Sequence, residues 1–76
     1  MEDRDIQLVR KLIPQDKELK QLWEEHLDYE EKLEKYNKRH FLSSEDELKR
    51  REIQKLKLAG RDKIEEILRK YRNTQA

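Results

Sequence analysis

The sequence has 76 residues, which allows one small domain and lies near the lower limit at which a single hydrophobic core is stable without help. Charged residues make up 49% of the chain and hydrophobic residues 33%, with one Gly, one Pro and no Cys, which excludes disulfide scaffolds, cysteine zinc sites and thiol chemistry. Because no apolar run exceeds three residues, we expect neither a membrane span nor a signal peptide, and we predict a cytoplasmic protein.

The first predicted element is a short amphipathic helix over about residues 3–12. Its apolar residues recur at helical spacing: Ile6, Leu8, Val9, Leu12 and Ile13. We expect this helix to fold across the open end of the helices that follow, or against a second copy of the chain. The nearest uncovered apolar groups are Trp23, Leu27, Leu68 and Tyr71. The alternative is a frayed terminus, because so short a helix is marginal on its own.

A long helix, helix A, is predicted over about residues 14–39. Its apolar face advances by alternating steps of three and four residues through Leu19, Leu22, His26, Tyr29, Leu33, Tyr36 and His40. This is the spacing of a helix face that packs on another helix. Pro14 is expected at the first helical position, and Asp16 and Glu18 lie where the helix dipole favours negative charge.

The heptad pattern ends after His40, and we expect a turn over about residues 40–44. Ser44 and Glu47 have the spacing of a capping box, which predicts the start of a second helix. Helix B is predicted over about residues 45–72, followed by a frayed tail over residues 73–76. Its apolar stripe drifts at close to 3.6 residues per turn through Ile53, Leu56, Gly60, Ile64, Ile67 and Tyr71.

The two stripes match when the chain folds back near residue 43. Antiparallel packing then pairs Leu19 with Ile67, Leu22 with Ile64, His26 with Gly60, Leu33 with Ile53, and Tyr29 with the neighbourhood of Leu56. The predicted fold is therefore all-α: a coiled-coil-like antiparallel two-helix hairpin with a short N-terminal helix, in one domain over residues 1–76. We interpret Gly60 as making room for a bulky neighbour, with a tolerated accident as the alternative.

The titratable residues do not form a recognisable catalytic or metal-binding pattern. His26 and His40 are separated by about 21 Å along one helix, so they cannot share a metal there. We expect His26, with Glu25 and Glu30 nearby, to be a hydrogen-bonded core histidine that is sensitive to acid. The sequence has no phosphate-binding loop, nucleophile motif or HExxH pattern. We therefore expect no enzyme, and no catalytic, cofactor-binding or metal-binding residue.

Charge is distributed unevenly along the chain. Residues 1–38 hold 8 basic and 11 acidic residues, whereas residues 39–76 hold 11 basic and 7 acidic residues. An acidic helix lying beside a basic one explains this split without a partner, and a basic arm for an acidic partner is the alternative. The basic residues that suggest nucleic-acid binding are Lys49, Arg50, Arg51, Lys55, Lys57, Arg61 and Lys63. No aromatic residue is interleaved among them for base stacking.

A two-helix hairpin has only one packed seam, so a chain of this size gains stability by dimerising. Trp23, Leu27 and Leu68 are predicted to lie beside the seam and to form the interface. We therefore expect a non-enzymatic protein-interaction module that forms a homodimer, with an unidentified protein as the other occupant of this surface. The alternative function is a basic-helix nucleic-acid-binding protein.

Two segments of the chain carry a resemblance to a known family. In residues 22–34, His26 follows Leu22 by four residues and Leu33 lies one heptad after His26. The second segment, KLKLAGRDKIEEIL at residues 55–68, is followed by Tyr71 and contains the most specific positions: Lys57, Leu58, Arg61, Asp62, Ile64, Ile67 and Leu68. Over about residues 5–72 the sequence resembles the YdcH-like family of short bacterial proteins. The resemblance implies a helical hairpin with a short preceding helix, and it implies no reaction, substrate or cofactor.

Overall fold

The computed structural model describes residues 2–74, which form three α-helices and one short 3-10 turn. Helix α1 spans Asp3–Leu12, the 3-10 turn spans Ile13–Gln15, α2 spans Lys17–Asn37 and α3 spans Ser44–Thr74. The described residues contain no strand, and the prediction of an all-α fold is confirmed. The predicted frayed tail begins at residue 73, whereas α3 continues to Thr74; the last two residues of that tail lie outside the described residues.

Helix α2 begins three residues later than predicted for helix A. Pro14 lies in the 3-10 turn, and Asp16 adopts an extended backbone conformation and caps the helix. Its Oδ1 atom accepts a hydrogen bond from the Leu19 backbone N–H at 3.0 Å. An aspartate satisfies a free N–H of the first turn better than the apolar and proline residues before it, so the helix restarts at the aspartate. The break lets α1 fold back over α2.

Helix α3 is capped by the first of the two serines and not by the second. The Ser43 hydroxyl accepts a hydrogen bond from the Asp46 N–H at 3.1 Å, and the Ser43 carbonyl accepts one from the Glu47 N–H at 2.9 Å. The predicted cap, Ser44, is instead the first residue of the helix. Adjacent serines offer the same capping chemistry, so their spacing from the apolar stripe could not distinguish them.

Three side-chain contacts define how α2 and α3 lie beside each other. The Tyr71 hydroxyl donates a hydrogen bond to Asp16 Oδ2 at 2.8 Å, Lys57 Nζ lies 3.7 Å from Glu30 Oε1, and Arg39 Nη1 lies 3.2 Å from Asp46 Oδ2. The start of α2 is therefore beside the end of α3, and the end of α2 is beside the start of α3. The molecule is elongated, with principal extents of 48 × 20 × 16 Å.

The hydrophobic core lies at one end of the molecule, where α1 covers the two long helices. Its buried members are Val9, Leu12, Leu19, Ile64 and Leu68. An ion pair between Asp5 of α1 and Arg72 of α3 closes the outside of this cluster. The hydrogen bond that Asp5 accepts from Arg72 lowers the pKa of Asp5. Within the single chain, α1 contributes Val9 and Leu12 to this cluster.

The opposite end of the molecule contains two helices and no third layer. Residues 34–63, all of which the structure describes, include no buried side chain. The connection at residues 38–43 carries Phe41, which is 83% exposed. We call residues 34–63, which include this connection and the adjoining parts of α2 and α3, the distal arm. Its apolar side chains have little to pack against within one chain.

Candidate interaction surface

The predicted interface residues do not lie together on one exposed patch. Leu27 is 46% exposed, but Trp23 packs partly against the hydrophobic core and stacks on the His26 ring at a centroid distance of 5.4 Å. Leu68 is only 1% exposed because it belongs to the core cluster that α1 covers. The prediction that Leu68 forms an exposed interface is therefore corrected. The reason is the docking of α1, which the hairpin register alone does not include.

The predicted seam residues divide into a buried group and a partly exposed group. Leu19, His26, Leu33 and Ile64 are buried, whereas Leu22, Tyr29, Ile53, Gly60 and Ile67 are half-buried. Leu56 is 46% exposed, which corrects its placement in a closed seam. A Cβ atom at position 60 would meet no atom within 4 Å, so no bulky neighbour occupies the space directly beside Gly60. The seam is closed beside α1 and open along one side.

The open side of the seam is the side turned away from α1. Asp5 of α1 lines one depression together with Leu68 and Arg72 of α3. Ile67 of α3 lines a different depression together with Glu18 of α2. Residues seven positions apart lie within about 20° of one another around a helix, so they continue this second side along the molecule. We call it the seam face and define it by its apolar residues: Leu22, Tyr29, Tyr36, Ile53, Leu56 and Ile67. All six are partly exposed.

Two charged rims border the seam face at its ends. Beside α1, the depression next to Ile67 is lined by Asp16, Glu18 and Lys70. In the distal arm, Tyr36 and Ile53 lie in a depression that is also lined by Lys32 and Lys35 of α2 and by Arg39 of the connection. The surface is thus an apolar strip between charged ends, which is the general composition of a protein-binding surface.

Among residues 2–74, His26 is the only ionisable residue that is buried. It is 6% exposed, its Nε2 atom lies 3.0 Å from Glu30 Oε1, and its Nδ1 atom makes no hydrogen bond within residues 2–74. Burial lowers the pKa of His26; Glu30 opposes this shift, and the positive charge of Lys57 adds to it. A proton on Nδ1 would be buried without an acceptor, so the neutral ring fits this position.

We expect acid to destabilise the protein through His26. Above the unfolded pKa of about 6.5 the ring is neutral in both states; as the pH falls below this value, the unfolded chain takes up a proton before the folded chain does. The urea midpoint should therefore fall between pH 7.5 and pH 5, and this fall should be smaller in His26→Gln. His40→Gln, which removes an exposed histidine from the connection, is the matched control and should keep the full dependence. Equal slopes in all three proteins would contradict the assignment.

The basic residues of α3 do not form one free positive surface. Arg50 lies 3.3 Å from Glu47, Lys57 lies 3.7 Å from Glu30, and Arg61 lies 3.2 Å from Glu65. The remaining ones, Lys49, Arg51, Lys55 and Lys63, are exposed at different angles around the helix. Nearby carboxylates weaken the field that a phosphate backbone would meet.

Further features of the described residues bear on function. No helix within residues 2–74 has both the length and the apolar character needed to cross a membrane. Over the same residues, no cluster of three or more His, Cys, Asp or Glu side chains is placed to hold a metal ion. Comparisons with protein-family models, curated proteins and solved structures found no match to this chain. Membership of the YdcH-like family stays a prediction that rests on the sequence.

Proposed function

We propose that this protein is a non-enzymatic helical interaction module that binds a second copy of itself. The observation that carries the proposal is the uneven cover of the two long helices. Helix α1 closes the core at one end, but the distal arm has no buried side chain over residues 34–63 and exposes Phe41, Leu48 and Leu56. Contiguous apolar surface that one chain leaves uncovered is a common mark of a protein-binding surface.

The size of the chain supports self-association. A domain of about 70 to 80 residues seldom gains more than about 3 to 5 kcal/mol from one core. Here the core is confined to the end that α1 covers, so the distal arm contributes little burial. A second copy that covers the open side of the seam would add apolar burial to both chains. The antiparallel hairpin is the framework on which this proposal stands.

Sedimentation equilibrium of the full chain tests the proposal. We expect the apparent mass to rise from 9.5 kDa toward twice that value as the protein concentration increases through the micromolar range. A single 9.5 kDa species at every concentration would overturn self-association. Passage over heparin at low salt gives the second readout, because nucleic-acid binders are retained through their phosphate-binding charges. Retention that ends only above moderate salt would favour the nucleic-acid alternative over this proposal.

A further inference from the structure

His26 lies on α2 at the boundary between the covered end of the molecule and the distal arm. Lys57 of α3 lies 3.7 Å from Glu30 of α2. His26 is one turn before Glu30, and the start of α2 lies beside the end of α3, so His26 is level with Arg61. The cluster that α1 covers lies on one side of this level. On the other side, toward the connection, Leu33 is the only buried side chain within residues 2–74.

The two ring nitrogens of His26 have different surroundings. Nε2 lies 3.0 Å from Glu30 Oε1, and the ring stacks on Trp23 at a centroid distance of 5.4 Å. Nδ1 is buried and has no hydrogen-bond partner among residues 2–74. The neutral ring fits these contacts with its proton on Nε2, from which it donates to Glu30, and with only a lone pair on Nδ1.

Protonation of the ring puts a second N–H on Nδ1, where no acceptor lies. Burying a charged donor without a partner costs more than burying a neutral lone pair. The face of Trp23 attracts a cation, but it lies against the plane of the ring and does not accept the in-plane Nδ1 hydrogen. Water is the remaining acceptor, and it reaches Nδ1 when the two helices separate at this level.

The charged groups around His26 leave the neutral ring favoured. On α2, Glu30 favours the protonated ring. On α3, Lys57 opposes it, and Arg61, at the same level, lies 3.2 Å from Glu65 of its own helix. The positive amino terminus of the chain acts in the same direction as Lys57. Burial and these positive charges outweigh Glu30 and lower the pKa of His26.

Separation of the helices toward the connection exposes fewer buried side chains than separation toward α1. The covered end holds five buried apolar side chains, whereas the side of the connection holds Leu33. The ion pairs that join the helices on this side, Lys57 with Glu30 and Arg39 with Asp46, are partly exposed to solvent and contribute little. Segments with few buried contacts open locally at a lower free energy than the whole molecule unfolds.

Helix α3 has its lowest intrinsic helix propensity at the same level. Gly60 precedes Arg61 and is the only glycine of the chain, and glycine in a helix interior is less favourable than alanine. No atom lies within 4 Å of the position that its Cβ would take, so packing does not require the glycine. The helix is therefore least resistant to opening beside His26.

We infer that His26 is a proton-operated switch of the distal arm. When the ring is protonated, α2 and α3 separate from His26 toward the connection, while the cluster beneath α1 stays closed. The separation gives the Nδ1 N–H access to water and exposes the inner apolar side chains of the arm. The switch acts within one chain and does not depend on self-association.

The reactivity of a buried thiol measures this opening, even when the open form is rare. The sequence has no cysteine, so one introduced cysteine is the only thiol. Leu33→Cys places it on the side that opens, Leu19→Cys places it in the covered cluster, and Phe41→Cys is an exposed reference. Each chain reacts with dithiodipyridine, which thiols attack in neutral and in acidic solution, at pH 7.5 and at pH 5. Dividing each rate by that of Phe41→Cys at the same pH removes the pH dependence of the thiol itself.

We expect the relative rate of Leu33→Cys to rise by about tenfold to thirtyfold between pH 7.5 and pH 5. One proton bound by the open form alone changes the opening equilibrium by at most tenfold per pH unit below the ordinary histidine pKa of about 6.5. At pH 5, Leu33→Cys should also react at least about tenfold faster than Leu19→Cys, because the covered cluster is exposed only when the whole chain unfolds.

Three substitutions in the Leu33→Cys chain identify the groups involved. His26→Gln should abolish the rise with acid, and His40→Gln, which removes the exposed histidine of the connection, should keep it. His26→Leu, which has no polar side-chain atom to bury, repeats the first test with a second side chain that does not titrate. Gly60→Ala should lower the relative rate about fivefold at both pH values and keep the dependence on pH.

Each contrary result overturns a stated part of the switch. A rise with acid that persists in His26→Gln and His26→Leu would exclude His26 as the titrating group. Equal relative rates for Leu33→Cys and Leu19→Cys would show that the chain opens only as a whole, so no separate movement of the distal arm exists. An unchanged rate in Gly60→Ala would exclude an opening of α3 at this level. Helical circular dichroism at pH 7.5 shows which variants are folded.

Discussion

Replacing Ile64 by alanine should lower the free energy of unfolding by about 2 to 5 kcal/mol, which is most of the stability expected for a chain of this size. Ile64 is fully buried at the meeting point of the three helices. Truncating it removes apolar contacts and leaves a cavity that the neighbouring side chains fill only in part. Urea unfolding followed by circular dichroism at one protein concentration measures the loss.

Leu58→Ala is the matched control for this experiment. Leu58 lies on the same helix and is 47% exposed, so its truncation should change the free energy of unfolding by about 0.5 kcal/mol or less. Comparable losses at the two positions would show that Ile64 does not lie in the core that the structure describes.

Introducing a charge at Val9 should detach α1 from the long helices. Val9 is fully buried against the core, and an unpaired carboxylate cannot remain there, so Val9→Asp should release α1 and expose the cluster beneath it. We expect a loss of about 3 kcal/mol or more in the free energy of unfolding. The single tryptophan, Trp23, packs against the same cluster and should report the change as a red shift of its fluorescence.

Gln7→Asp provides the control, because it adds the same charge to the same helix at an exposed position. It should alter the urea midpoint and the tryptophan emission only slightly. If the two aspartate variants behave alike, α1 does not dock on the long helices, and the N-terminal residues fray.

Leu68 was predicted both as one of the apolar groups that the N-terminal helix covers and as part of an exposed interface, and its burial excludes the second prediction. Leu68 lies beside the hairpin seam in a helical projection, and a hairpin alone would leave it exposed. In the three-helix end it is covered by the buried face of α1, whose Val9 and Leu12 share its cluster. Periodicity indicates that a helix has an apolar face, but it does not say which groups that face covers.

A serine cap was predicted for the second long helix, whereas Asp16 was predicted only to favour the helix dipole. Asp16 and the serine pair are favourable at helix starts, and both starts occur near them. The structure places the caps at Asp16 and Ser43, where a side-chain oxygen reaches a free N–H of the first turn. Pro14 and Ser44 are one or two residues from these caps, and the choice depends on where the chain must turn to bring α1 and α2 onto α3.

The sequence by itself determined that the chain is helical and where its helices begin, to within about three residues. It also determined which face of each helix is apolar. These properties are local, because helix propensity, caps and periodicity act between residues that are close together in the chain. Only the tertiary structure decided which apolar positions are covered. Val9, Ile64 and Leu68 are buried because three helices meet there, while Leu56 stays exposed because only two helices are present along the distal arm. Burial depends on contacts between residues far apart in the chain, such as Tyr71 with Asp16, and local spacing does not specify those contacts.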